Sequence, residues 1–206
     1  MMTPAFIFTI FMLTLGPIKT VPAFFAMSRD QEAAAMRKLA LRGTMAATGV
    51  SLVIALVMTG VAASWRVSPE DLRLAGGILL FAAAREMIGQ SSRPASQPQA
   101  AVPPKQAAVT PLAIPIIVTP WGATAILFFA DLAYGDARLF GTVIATLLLV
   151  MLLNLSGMLL ARQIIALVGM VTFQVLGWIF AVLQAGLAVD AVVTSLRNLA
   201  LLYPTP

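Results

Sequence analysis

Long apolar stretches, broken by short charged, proline-rich or glycine-rich segments, run the length of the chain. A helix crossing a hydrocarbon core of ~30 Å needs ~20 mostly apolar residues. Six stretches approach that length, over residues 5–27, 41–63, 72–89, 111–130, 139–161 and 175–196. The pattern predicts an all-α membrane protein with six transmembrane helices. The third stretch is the shortest and ends on Arg85 and Glu86, which reads as a polar cytoplasmic anchor. Residues 163–189 carry no charge, which leaves the start of the last helix open.

Between the third and fourth stretches the chain reads QSSRPASQPQAAVPPKQAA, almost without large apolar residues, which is the composition of a solvated linker. It divides the chain into a first three-helix unit (1–89), a Pro-rich linker (90–109) and a second three-helix unit (110–206). The two units echo each other. Leu15-Gly16-Pro17, followed by Phe24-Phe25-Ala26, reappears as Val118-Thr119-Pro120, followed by Phe128-Phe129-Ala130. Leu74-Ala75-Gly76-Gly77-Ile78-Leu79 reappears as Val175-Leu176-Gly177-Trp178-Ile179-Phe180. Because three is odd, consecutive units of this kind enter the membrane from opposite sides, as two inverted repeats. With the N-terminus outside, Arg29, Arg37, Lys38, Arg42, Arg85, Arg93, Lys105 and Arg162 fall inside, and only Arg66, Arg73, Arg138 and Arg197 outside. The positive-inside rule then predicts periplasmic termini and a cytoplasmic linker.

Composition points the same way. The chain is 60% hydrophobic and 10% charged, against ~25% charged residues in soluble domains. A net charge of +5 does not indicate nucleic acid, because the basic residues are dispersed between apolar runs. With no Cys and no His, disulfides, zinc sites, haem ligation and His-based triads are excluded. No enzyme activity, metal or cofactor is expected. The first apolar stretch lacks the basic flank and cleavage site of a signal peptide, so no removable leader is expected. The partners to expect are the lipid bilayer, a small-molecule substrate and Na⁺ or H⁺, with a homo-oligomer compatible with the pattern.

Candidate chemistry gathers at two proline pairs, Pro17 and Pro22 in the first stretch and Pro115 and Pro120 in the fourth. Each Pro lacks an N–H and clashes with the carbonyl four residues earlier, so both helices should be kinked or broken inside the membrane. Backbone groups freed there cannot face lipid; they shape packing or line a site for an ion or substrate. The candidate substrate-binding set is Gly16, Pro17, Lys19, Thr20, Pro22, Pro115, Thr119, Pro120, Trp121 and Gly122, with Asp190 and Thr124 as candidates for ion coupling. Lys19 is the most singular: at mid-depth it needs a carboxylate, a cavity or a snorkelling path. It either binds a substrate carboxylate, compensates charge where a coupling cation would sit, or reaches an interface. Asn154 and Ser156 suit hydrogen bonding between helices, and Gly76-Gly77 close packing or a cavity lined with bare backbone. Trp121 suits an interfacial belt or a cap on the site.

These residues resemble the MarC family of integral membrane proteins. Three blocks carry the resemblance: PIKTVPAFF from Pro17, LRLAGGILLFAAAREM from Leu72 and PLAIPIIVTPWG from Pro111. In the family pattern the residue at Gly16 is Asn, that at Lys19 is Gly, and Thr119-Pro120-Trp121 is Gly-Pro-Gly, so a cation and an indole replace small residues at the two breaks. The resemblance implies a multi-pass bacterial inner-membrane protein, some of whose relatives move small neutral amino acids such as glycine and alanine with an ion gradient. The chain also resembles, more distantly, the LysE-type exporters. An ion-coupled secondary transporter is the reading to test, against an exporter of a small metabolite and a transport-inactive membrane scaffold.

Overall fold

The computed structural model describes residues 3–29, 31–64, 67–91 and 108–202. Most of the predicted linker, with Arg93 and Lys105, lies outside the described residues, as does Arg66. The described residues form helices and their connections, without a strand.

Helix α1 (Pro4–Leu15) stops at Gly16, whose backbone is extended (φ −74°, ψ 172°), and α2 (Pro17–Ser28) restarts at once. The cause is local. The ring of a proline disfavours the helical region for the residue before it, while its own fixed φ suits the first helical position. The same chemistry acts in the second half. In the irregular segment α5 (Ala108–Ile117), Thr110 and Ile114 are extended, each immediately before a proline. Thr119 (φ −84°, ψ 159°) then precedes Pro120, where α6 (Pro120–Leu132) begins. Pro22 and Pro115 behave differently from one another, since α2 continues through Pro22.

Long helices complete each half. α3 (Ala33–Ser64) is followed by α4 (Pro69–Ser91), which is opened by a reciprocal cap: Asp71 N donates to Ser68 Oγ at 3.1 Å and Ser68 N to Asp71 Oδ2 at 3.3 Å. α7 (Ala137–Leu159) is capped by Asp136, and α8 (Ala161–Val168) is a short helix separated from α9 (Met170–Leu202) by Gly169 at φ +80°. That left-handed residue, which glycine adopts without a Cβ penalty, fixes the start that the uncharged stretch left open.

α3 packs on α5 and α6, α7 packs on α1 and α2, and α4 pairs with α9. The central core joins both halves through Ile7, Phe11, Leu15, Phe24, Leu112, Ile126 and Leu147. The outward faces are just as apolar: Val53 and Leu56 of α3, Leu149 and Leu152 of α7, and Val182 and Leu183 of α9 are all exposed. Such a surface suits lipid, which does not penalise it.

Among the described residues four segments are long and apolar enough to cross a membrane: Pro4–Ser28, Ala33–Val57, Ala137–Leu159 and Val171–Ala200. They correspond to the first, second, fifth and sixth predicted stretches. The third is α4, whose charged ends leave an uninterrupted apolar run only over residues 74–84. The fourth is divided between α5 and α6, and α6 alone has 13 residues, too few to span.

Candidate functional site

At the first break the helix gives up its own hydrogen bonds. Pro17 has no N–H for the carbonyl four residues earlier, and the restart at α2 strands the carbonyls of Thr14 and Leu15. Side chains from three other places satisfy them. Asn154 of α7 donates from Nδ2 to the Leu15 carbonyl at 2.6 Å, and its Oδ1 accepts from the Thr20 hydroxyl at 2.8 Å. The Thr14 carbonyl accepts from Lys19 Nζ and, at 3.2 Å, from the Thr119 hydroxyl. Thr119 belongs to the second break, so one carbonyl ties the two breaks together.

The hydroxyl of Thr119 is fully used. It donates to Thr14, caps α6 by accepting from Gly122 N at 3.1 Å, and lies 3.3 Å from Lys19 Nζ, which is one donor and two acceptor contacts, the capacity of a hydroxyl. Thr14, Thr20, Thr119 and Asn154 are all buried. Glycines permit the crossing. A Cβ on Gly122 would run into Leu15, and one on Gly157 would lie 2.8 Å from Val21 Cγ2 and 3.2 Å from Pro17 Cβ. Beside Lys19 remains a space of about 10 Å³ against Met12, Leu13 and Phe180, enough for roughly one water.

A larger cavity of about 70 Å³ lies next to the crossing, between α1, α4, α6 and α9. Its walls are mostly apolar, with Phe6, Ile10, Leu80, Phe128, Phe129 and Leu187 among them, and the bare backbone of Gly76 and Gly77 forms one side. The polar groups are Arg73 of α4, Asp190 of α9 and Thr124 of α6, with Trp121 where α6 meets the break. Arg73 lies over the Phe128 ring at 5.8 Å and 3.9 Å from Glu70. Asp190 makes no hydrogen bond or ion pair among the described residues.

The predicted site residues thus fall in two groups. Gly16, Pro17, Lys19, Thr20, Thr119, Pro120 and Gly122 build the crossing; Trp121, Thr124 and Asp190 line the cavity. Pro22 lies within α2, and Pro115 is an exposed residue of α5 whose peptide bond with Ile114 is cis. Two participants are absent from the candidate set that the sequence predicts. Arg73 opens the Arg-Leu-Ala-Gly-Gly block, and that position is the one signal the sequence carries for it. Asn154 reads as helix packing, and nothing in its neighbours along the chain identifies the carbonyl it serves.

Among the described residues no cluster of three or more His, Cys, Asp or Glu is placed to hold a metal ion. Compared with known protein families, the chain matches over residues 3–200 the family described as MarC family integral membrane protein. No curated protein and no solved structure matches it.

Proposed function

The chain belongs to the MarC family of integral membrane proteins, and from that premise we propose that this multi-pass membrane protein is a secondary transporter of small neutral amino acids or similar zwitterions, coupled to an ion gradient. The observation that carries the reading is the cavity. A guanidinium and a carboxylate share its mostly apolar wall with the Thr124 hydroxyl, and the charged pair is the complement of a zwitterion: carboxylate toward Arg73, ammonium toward Asp190. Its size sets the scale. At 10–15 Å³ per water-sized group, about 70 Å³ admits about five to seven non-hydrogen atoms, and glycine and alanine have five and six.

The architecture proposed is two inverted three-helix repeats with six crossings, the broken α1–α2 and α5–α6 being equivalent. The reciprocal packing supports this: α3 sits against the broken helix of the other half, and α7 does the same in return. Basic residues predominate in the segments assigned to the inside, which supports a bacterial inner membrane protein with periplasmic termini and a cytoplasmic linker. In that orientation Phe6, Arg73, Phe128 and Asp190 lie toward the periplasmic side, and Trp121 stands at the inner end of the cavity beside the breaks. Rocking of the halves about the Pro17 and Pro120 breaks would close one end and open the other. No catalytic step is proposed.

Binding tests the reading directly through Trp121 fluorescence in purified protein, with Trp121→Phe as the blank. Alanine should quench saturably, whereas propionate and ethylamine, each carrying half the zwitterion, should not. Arg73→Gln and Asp190→Asn should each weaken alanine binding about tenfold, as expected for a partly solvated charge-assisted contact. Equal binding of propionate and alanine, or unchanged binding by Arg73→Gln, would overturn the assignment.

A further inference from the structure

We propose that the Lys19 ammonium is a tethered cation that fills a monovalent-cation site where the two helix breaks cross, and so keeps a free ion out of it. Lys19 Nζ is held by neutral oxygens, the Thr14 carbonyl and the Thr119 hydroxyl. The one ion pair among the described residues is that of Arg73 with Glu70, so no carboxylate neutralises Lys19. A positive group held by a carbonyl and a hydroxyl at the C-terminal end of a half-helix, where the dipole is negative, sits where an alkali ion binds in a broken helix. Neutral ligands suit one charge rather than two, because divalent ions draw on carboxylates.

The geometry also accounts for exclusion. The space left beside Lys19 is about 10 Å³, room for roughly one water, and the ammonium repels a second cation. Truncating the side chain at Cβ removes both obstacles. It leaves the Thr14 carbonyl and Thr119 hydroxyl facing the vacated volume. That volume accommodates an ion and the waters that complete its shell.

The claim about binding stands on this geometry alone. Its consequence for coupling rests on the transport reading: the natural protein moves its solute without Na⁺, and Lys19→Ala acquires Na⁺ dependence.

Thermal unfolding of the purified full-length protein, titrated with NaCl, LiCl or KCl at constant ionic strength against N-methylglucamine chloride, separates the two claims. Wild type should be indifferent to the cation. Lys19→Ala should gain a saturable rise in Tm with at least one alkali ion, about 3 °C or more at tenfold its Kd, and Lys19→Arg should remain indifferent. A folded Lys19→Ala whose Tm ignores the cation overturns the proposal, as does an alkali-dependent Tm in wild type. If Lys19→Ala does not fold, Lys19→Thr, which returns a hydroxyl to the crossing, takes its place in the titration and decides by the same criteria.

Discussion

Asn154→Ala is the sharpest test of how the broken helix is held. The side chain is fully buried and bridges α7 to the first break through bonds of 2.6 Å to the Leu15 carbonyl and 2.8 Å from the Thr20 hydroxyl. After truncation Thr20 keeps the Gly16 carbonyl at 2.9 Å, so the loss concentrates on Leu15. An unsatisfied buried acceptor costs ~1–3 kcal/mol. The vacated volume, three heavy atoms that the close-packed surroundings refill only partly, adds ~1 kcal/mol. The sum is about 2–4 kcal/mol, and at ~2–4 °C per kcal/mol for a chain of this size a fall in Tm of about 4–16 °C follows. Thr20→Val removes the second bond together with the contact to the Gly16 carbonyl and takes the Thr20 donor from Asn154 Oδ1, so it should lower stability by ~1–3 kcal/mol. Thermal unfolding of the purified proteins reads both, and the double variant gives their coupling. If Asn154→Ala melts within about 1 °C of wild type, the stranded carbonyl finds another donor and the description of the break is wrong.

Gly77→Ala should destabilise by ~1–3 kcal/mol, because its Cβ would stand 3.0 Å from the Ala188 carbonyl and 2.8 Å from Val192 Cγ2. Gly76→Ala meets only Thr124 Cγ2 at 3.4 Å, so its melting should match wild type while the narrower cavity weakens alanine binding; equal melting of the two variants would contradict the α4–α9 packing. Pro17→Ala and Pro120→Ala, correctly inserted, should each lower uptake at least about tenfold by letting the helix run on through the break; wild-type rates in both would remove the breaks from the mechanism. The chain has no cysteine, so single cysteines report topology: Thr3→Cys should react with an impermeant thiol reagent from outside intact cells, and Gln97→Cys only in inverted membranes.

What could be read from the sequence follows the range of the interactions involved. The breaks were legible because they are made by neighbours: a proline and the residue before it decide the backbone at Gly16 and Thr119 without help from elsewhere. Helix lengths were legible where charges bound the apolar runs, as at α7, though not at α3, which begins at Ala33 and runs through Arg37 and Lys38, residues that the apolar pattern places in a loop before the second stretch. They were not legible across residues 163–189, where Gly169 alone separates α8 from α9 and its left-handed backbone has no signature beyond the glycine itself. The site was half legible. Thr20, Thr119 and Lys19 announced themselves as polar groups beside prolines, but the carbonyls they serve and the donor from Asn154, more than a hundred residues away, are matters of tertiary packing. Arg73 and Asp190 lie on helices far apart in the chain, and only the pairing of α4 with α9 brings them to one cavity. The partners of Lys19 explain how the fold accepts it: the Thr14 carbonyl at the first break and the Thr119 hydroxyl that caps the second receive its charge.

The most direct test of the account is uptake of labelled alanine and glycine into proteoliposomes under imposed H⁺ or Na⁺ gradients, with counterflow from preloaded vesicles to cover the outward direction. The account predicts gradient-driven movement by the wild type that does not require Na⁺ and is strongly reduced in Arg73→Gln and Asp190→Asn. Folded, inserted protein that moves neither solute in either direction, or Arg73→Gln that moves alanine at the wild-type rate, would contradict it.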